Sequence, residues 1–353
     1  MSSLEDTILA GGRISPKEFL VLAAEADLVR LGLLADAVRR RLHPQGWVTY
    51  VIDRNINYTD ICVSGCKFCA FYKAPGDPAG SVLSPQVMAE KIRETKELGG
   101  TQILLQGGLH PELPLEFYEE MLRAMKAQDI HVHGFSPPEI QHFAALSGLS
   151  VRGVLERLRA AGLDSIPGGG AEILCDRVRQ EISPRKCGAD AWIEVMAEAH
   201  RLGMRTTATM MFGHVETMAE RLEHLRRLRD LQDETGGFTA FIPWPFQPDH
   251  TALAERCGQK TSAWQYLRML ALSRIFLDNI ANVQASWVTQ GPQIAQLSLY
   301  FGANDFGSTM IEENVVAAAG VHFRLSEAEI RHLIQGAGFA PCQRLMDYTL
   351  VGA

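Results

Sequence analysis

Short β-rich runs alternate with helix-like stretches along almost the whole chain. The runs are WVTYVIDRNINYT, TQILLQGG, IHVHGF, LDSIPGGG, RTTATMMFG, FTAFIPW, NVQASW and LSLYFGAND. Between them, residues 84–98, 115–128, 188–202, 216–234 and 261–278 read as amphipathic helices. Ser84 and Pro85 form an N-cap and first-turn proline, and LGG at 98–100 is a glycine stop. Strands separated by helices predict a parallel α/β architecture, and eight such units in 353 residues fit a closed (β/α)8 TIM-type barrel. An open doubly wound sheet is the alternative. Polar residues, glycine or aromatics follow the apolar part of every run, from Tyr58 and Thr59 at the first to Asn304 and Asp305 at the last. A barrel collects eight such ends around one mouth, whereas an open sheet uses chiefly its switch point, so the distribution favours the barrel. The expected division is a helical extension over 1–46, the barrel over 47–320 and a C-terminal extension over 321–353 packed on it.

Composition narrows the class further. Hydrophobic residues at 46% and charged residues at 21% are ordinary globular values, which excludes a disordered or fibrous chain. A net charge of -7 argues against nucleic acid as a partner. The polar, acidic start MSSLEDTILAGG has no apolar signal core, and no segment is apolar enough to span a bilayer. A cytoplasmic protein with no membrane partner is expected. Seven cysteines, an odd number on a long chain, do not read as a disulfide framework, and Cys175, Cys187, Cys257 and Cys342 are expected to be ordinary free thiols.

The other three cysteines are crowded together. In NINYTDICVSGCKFCAFY, Cys62, Cys66 and Cys69 stand in C-x3-C-x2-C spacing on the loop after the first strand. A structural zinc site would want a fourth ligand from a second short arm, and none exists. Three thiolates suit a cluster of several irons better: a 4Fe-4S cube held at three corners keeps one iron open.

This spacing on a post-strand loop resembles the signature of the radical S-adenosylmethionine (SAM) superfamily. The resemblance implies a 4Fe-4S cluster on Cys62, Cys66 and Cys69 whose open iron binds SAM and whose electron releases a 5'-deoxyadenosyl radical. It also implies a SAM site made by Phe68 beside the adenine, Gly107 and Gly108 of LLQGGLHP, Ser136 of FSPPEI, and Glu172 of SIPGGGAEIL. Phe68, the glycine pair and Glu172 each have a plainer alternative: a core phenylalanine, a strand-to-helix turn and a helix-start glutamate. DRNINYTDICVSGCKFCAFYK, TTATMMFGHVET, LQDETGGFTAFIPWPFQP, SWVTQGP and FGANDFGSTMIEENVV are together similar to the cyclic dehypoxanthine futalosine synthase family of menaquinone biosynthesis. Aminofutalosine synthases and deazaflavin FO synthases share the cysteine spacing and are the alternatives. Asp60 stands where an asparagine is expected.

The implied reaction takes the C4' hydrogen from the ribose of dehypoxanthine futalosine and adds the carbon radical to its benzoate ring. An electron and a proton must then leave, so a base is required. Asp305 is the first choice, with His133 and His214 as substitutes. Gln284, Ser286, Trp287 and Trp244 are expected to contact substrate, and a flavodoxin or ferredoxin to supply the starting electron. A cubane electron carrier would need a fourth protein ligand, and a metal-dependent barrel hydrolase would leave the cysteine triplet unexplained.

Overall fold

The computed structural model describes residues 2–257 and 259–352. Among the described residues ten strands occur in chain order: β1 (Trp47–Val51), β2 (Asp53–Asn57), β3 (Gln102–Gln106), β4 (His131–Gly134), β5 (Ser165–Ile166), β6 (Arg205–Phe212), β7 (Phe238–Pro245), β8 (Asn282–Val283), β9 (Asp305–Ser308) and β10 (Ala340–Gln343). β2 to β8 form one curled parallel sheet in sequence order. β1 and β2 are successive halves of one bent strand. β1 pairs in parallel with both β9 and β10. The ring closes where β9 meets β8: Asn304 N donates to Val283 O at 3.1 Å and Ala285 N to Asp305 O at 2.9 Å.

The expected helices form at Pro85–Glu97, Leu115–Lys126, Ala189–Arg201, Met218–Thr235 and Ala263–Phe276. Ser84 caps the first through its hydroxyl, which accepts from Val87 N at 3.3 Å, and Pro85 opens it. Their buried stripes cover the outside of the sheet. Three further helices, Pro137–Ser147, Val151–Ala161 and Asp176–Ile182, were not anticipated. The N-terminal helices, Pro16–Glu25 and Leu28–Leu42 among them, dock on the same outer layer. Arg268 Nη1 donates to Ala26 O at 2.7 Å, and Phe19 meets Phe276 edge-on at 5.2 Å.

One strand is displaced from its expected place. The apolar run Leu297–Phe301 ends a helix and a 3-10 turn, and the strand starts only at Asp305. A five-residue run in which only Ser298 is polar has no period that separates helix from strand. The consequence is large, because Asp305 opens a strand instead of closing one and so lies toward the floor of the barrel. There it is fully buried. Its carboxylate accepts from Arg344 Nε at 2.5 Å, Arg344 Nη2 at 3.2 Å, Thr49 Oγ1 at 2.6 Å and Gly307 N at 2.8 Å.

Breaking a buried, fully bonded pair from one side strands the other charge. Asp305→Asn is therefore expected to destabilise the fold by about 3–5 kcal/mol, and pairing it with Arg344→Met to recover part of that loss. Denaturant unfolding of the three variants checks this, and an unchanged midpoint in Asp305→Asn would refute it.

Candidate active site

Inward positions on a strand recur every second residue. In this barrel they are largely polar: Asp53 and Asn55 on β2, Gln102 and Gln106 on β3, His133 on β4, Thr207 and Thr209 on β6. With Ile242 and Trp244 of β7 they line a cavity of about 300 Å3. Asp53 accepts from Gln102 Nε2 at 2.7 Å and from the hydroxyl of Ser308, and burial pushes its carboxyl above the usual range. Gln102 spends its amide nitrogen on Asp53, so its Oε1 is left buried without a partner, as is Asn55 Oδ1. This wall presents acceptor oxygens that await donors. Opposite it, Trp244, Gln284, Ser286 and Trp287 line the same cavity. Trp287 is fixed by its Nε1 donating to Ser308 O at 2.9 Å, and Ser286 Oγ lies 2.7 Å from Thr289 Oγ1.

The cysteine loop is tied down by backbone hydrogen bonds from Cys62 N to Lys73 O at 2.9 Å, Val63 N to Leu109 O at 3.0 Å and Lys67 N to Ile182 O at 2.8 Å. Asp60 accepts from Ser81 N at 2.7 Å and so pins the next loop to it. Ser64 Oγ lies 3.0 Å from Cys62 Sγ and 3.3 Å from Cys66 Sγ. Among the described residues no three His, Cys, Asp or Glu side chains stand at metal-ligand spacing; a shared hydroxyl draws two of the thiols together instead. Burial pushes the Cys66 and Cys69 thiols up, and the Lys186 charge opposes it. Binding of a metal group would displace those protons. The donor set fits an iron–sulfur group: three sulfurs on one short loop facing one cation.

That cation is Lys186, which the sequence reading missed. It donates to Glu172 Oε1 at 2.9 Å and lies 5.1 Å from the Phe68 ring centroid. Desolvation lowers its ammonium, yet Cys66 and Glu172 outweigh it and leave the group above its ordinary value. Glu172 sits at φ +40°, in the left-handed region that non-glycine residues seldom occupy, and its Oε2 is buried without a partner. Glu172 also lines the cavity, so one acceptor atom there is open to a ligand.

Other expected residues have different surroundings. A side chain at Gly107 would meet the Tyr58 ring at 2.5 Å, and one at Gly108 would run into Ile61 O and, at 3.0 Å, Cys62 Cβ. The glycine pair therefore lets the cysteine loop close onto β3. Ser136 Oγ donates to Glu139 at 2.5 Å, and Glu139 also accepts from Tyr58 at 2.7 Å and Gly107 N at 3.1 Å. Glu139 is thus a buried clasp across three strand ends, with a carboxyl pushed by burial up to about 7. Both nitrogens of His214 are occupied: Nε2 is 3.0 Å from Met211 O, and Nδ1 accepts from Val215 N at 2.8 Å. His214 does not line the cavity, and Asp305 is saturated by four donors beneath it, so neither is placed to take a proton. His133 remains in the lining.

Comparison with known proteins gives a consistent picture. The family model for the radical SAM superfamily matches residues 56–228, and that for the CofH/MqnC C-terminal region matches residues 235–352. A cyclic dehypoxanthine futalosine synthase from Streptomyces coelicolor is 48% identical over 97% of this chain and 87% of its own length. One from Halalkalibacterium halodurans is 46% identical over 97% of this chain and 92% of its own length. Among solved structures, the FeFe-hydrogenase maturase HydG from Carboxydothermus hydrogenoformans superposes with a TM-score of 0.77 at 18% identity, covering 98% of this chain and 80% of that one. The last likeness is one of fold alone.

Alanine at Cys62, Cys66 or Cys69 is expected to abolish iron uptake on anaerobic reconstitution, while alanine at Cys175, Cys187, Cys257 or Cys342 keeps it. Iron and sulfide analysis decides. Loss of iron in a folded Cys187→Ala protein would contradict the three-ligand arrangement.

Proposed function

The chain belongs to the radical SAM superfamily, and on that premise we propose that it is a cyclic dehypoxanthine futalosine synthase of menaquinone biosynthesis. The observation that carries this reading is the likeness to two enzymes of that name over 97% of the chain. Cys62, Cys66 and Cys69 would hold a 4Fe-4S cluster, with Lys186 compensating the negative charge that three thiolates bring. Glu172, with Oε2 open toward the cavity, would accept from a SAM amino or ribose group. When bound, cluster and SAM supply a 5'-deoxyadenosyl radical that takes the C4' hydrogen atom of the substrate ribose.

The rest of the work falls to the chamber. Ribose hydroxyls are donors, and Gln102 Oε1 and Asn55 Oδ1 are buried acceptors without partners. Pairing them removes a desolvation cost on both sides. The flat benzoate suits the apolar side, where Trp244, Trp287 and Ile242 offer ring and aliphatic surface and keep water from the carbon radical. After ring closure the adduct gives up one electron and one proton. His133, in the lining and with one nitrogen still free, is the base this chamber provides. Flavodoxin or ferredoxin is the proposed class of electron donor.

The test is anaerobic incubation of reconstituted protein with dithionite, SAM and dehypoxanthine futalosine, with products identified by mass. The expected products are 5'-deoxyadenosine and a cyclic compound lighter than the substrate by the mass of two hydrogens. Deuterium placed at C4' should appear in the deoxyadenosine. Cleavage of SAM that never alters this substrate, or turnover only of an aminofutalosine-type or deazaflavin-type precursor, would reject the assignment.

A further inference from the structure

We propose that Ser165 and His131 form a relay that carries the proton released in cyclisation from His133 to the N-terminal rim of the barrel. The inference rests on the cyclase reading, which requires a proton to leave a closed chamber.

His131 and His133 are two residues apart on β4 and so project to the same side of the strand. Ser165 opens β5 and is paired in register with His133. Its Oγ lies 2.8 Å from His133 Nδ1 and 2.8 Å from His131 Nε2. His133 lines the chamber, Ser165 is buried, and the His131 side chain is 34% exposed at the first residue of its strand. Three polar groups therefore join the reaction space to solvent.

The proton positions follow from one carboxylate. A hydroxyl has a single proton, so Ser165 can donate to one imidazole only and must accept from the other. Asp164 Oδ2 lies 4.0 Å from His131 Nδ1 and favours a proton on that nitrogen. His131 Nε2 then accepts from Ser165, and Ser165 Oγ accepts from His133 Nδ1–H. His133 Nε2 keeps its lone pair for the chamber. That tautomer is the one a base needs.

The surroundings also explain why a relay is needed. Burial holds His133 neutral, far below the ordinary imidazole value, and the charges of His131 and Arg344 act in the same direction. A group so placed takes a proton from an acid stronger than itself and passes it on readily. The cyclised ring, having given one electron to an iron–sulfur acceptor, is that acid. As His133 Nε2 takes the ring proton, Nδ1–H passes to Ser165 Oγ, and the serine proton passes to His131 Nε2. The charge then rests at the rim beside Asp164, whose other partners are Lys126 Nζ at 2.9 Å and Val132 N at 2.8 Å. Burial lowers His131 as well, Asp164 raises it, Lys126 lowers it and Asp347 raises it, so the rim imidazolium is better supported than one at His133.

The experiment compares wild type with Ser165→Ala, Ser165→Thr, His131→Gln and His133→Gln, each reconstituted and given SAM with C4'-deuterated dehypoxanthine futalosine. In Ser165→Ala, label should reach 5'-deoxyadenosine at the wild-type rate while cyclic product forms about tenfold slower or less, with KM unchanged and a larger solvent deuterium isotope effect. Ser165→Thr should restore the rate because it keeps the hydroxyl. His133→Gln should cost about 10²–10⁴-fold in product. Cyclic product at the wild-type rate in Ser165→Ala, or no recovery in Ser165→Thr, overturns the relay. Should Ser165→Ala fail to take up iron, His131→Gln at the exposed end carries the same expectations, and wild-type behaviour there overturns the relay equally. A wild-type protein that does not convert this substrate overturns the cyclase reading and the relay with it.

Discussion

The ion pair between Asp305 and Arg344 is what allows this barrel to be hollow. Barrels of this size are ordinarily filled by layers of branched apolar side chains. Here the inward positions of β2, β3, β4 and β6 are largely polar, Leu104 excepted, so the interior gives less packing and something else must seal the floor. Arg344 leaves β10, turns under the chamber and pairs with the first residue of β9, while Tyr348 packs its ring 4.1 Å from the guanidinium. The pair joins the C-terminal tail to the strand that closes the ring. Desolvation alone would pull the Arg344 proton off more easily, but the Asp305 charge outweighs it and keeps the cation. The chamber is thus floored by charge, and the next layer, Asp53 with Ser308 and Gln102, rests on that floor.

A second buried arginine does parallel work outside the ring. Arg274, on the helix Ala263–Phe276, donates to Gly302 O at 2.7 Å, Ala281 O at 2.8 Å and Asn304 Oδ1 at 2.5 Å. It has no carboxylate partner among these contacts, and burial pulls it down to about 9. Asn304 in turn accepts from Val283 N and donates to Asn282 Oδ1. Polar side chains thereby add to the few ladder bonds that β8, only two residues long, shares with the strand beginning at Asp305. Strand closure at this seam therefore combines two backbone hydrogen bonds with the side-chain bonds of Asn304.

These two arginines mark where the sequence stopped being legible. The α/β alternation, the cysteine loop and the outer helices were readable because each rests on local spacing, which a linear string preserves. Trp244, Gln284, Ser286, Trp287 and His133 were singled out as polar or aromatic residues at strand ends, and all five line the cavity. Asp305 was misplaced through a single error: the apolar residues before it were read as strand when they end a helix, which put the carboxylate at the mouth instead of the floor. Arg344 and Lys186 carry no local signal, because what they do depends on partners 39 and 14 residues away. The β2 and β3 wall was visible as DRNIN, with Asp53, Asn55 and Asn57 at every second position, and QILLQ, with Gln102 and Gln106 on either side of Leu104, yet in a surface strand the same polar residues would face water. Only closure of the ring turns it inward.

The resulting chamber has direction. Acceptor oxygens of Asn55 and Gln102 stand on one wall and tryptophans on the other, while the Glu172 and Lys186 pair faces the thiols above. A ligand with hydroxyls at one end and a flat ring at the other can satisfy both walls in only one orientation, because reversing it would leave buried oxygens unpaired at a cost of about 1–3 kcal/mol each. That penalty selects the orientation before any reaction takes place. It also gives a reason for polar residues at these positions in place of apolar filling, which would stabilise the barrel: each polar atom that weakens the packing also penalises a ligand seated in the wrong orientation.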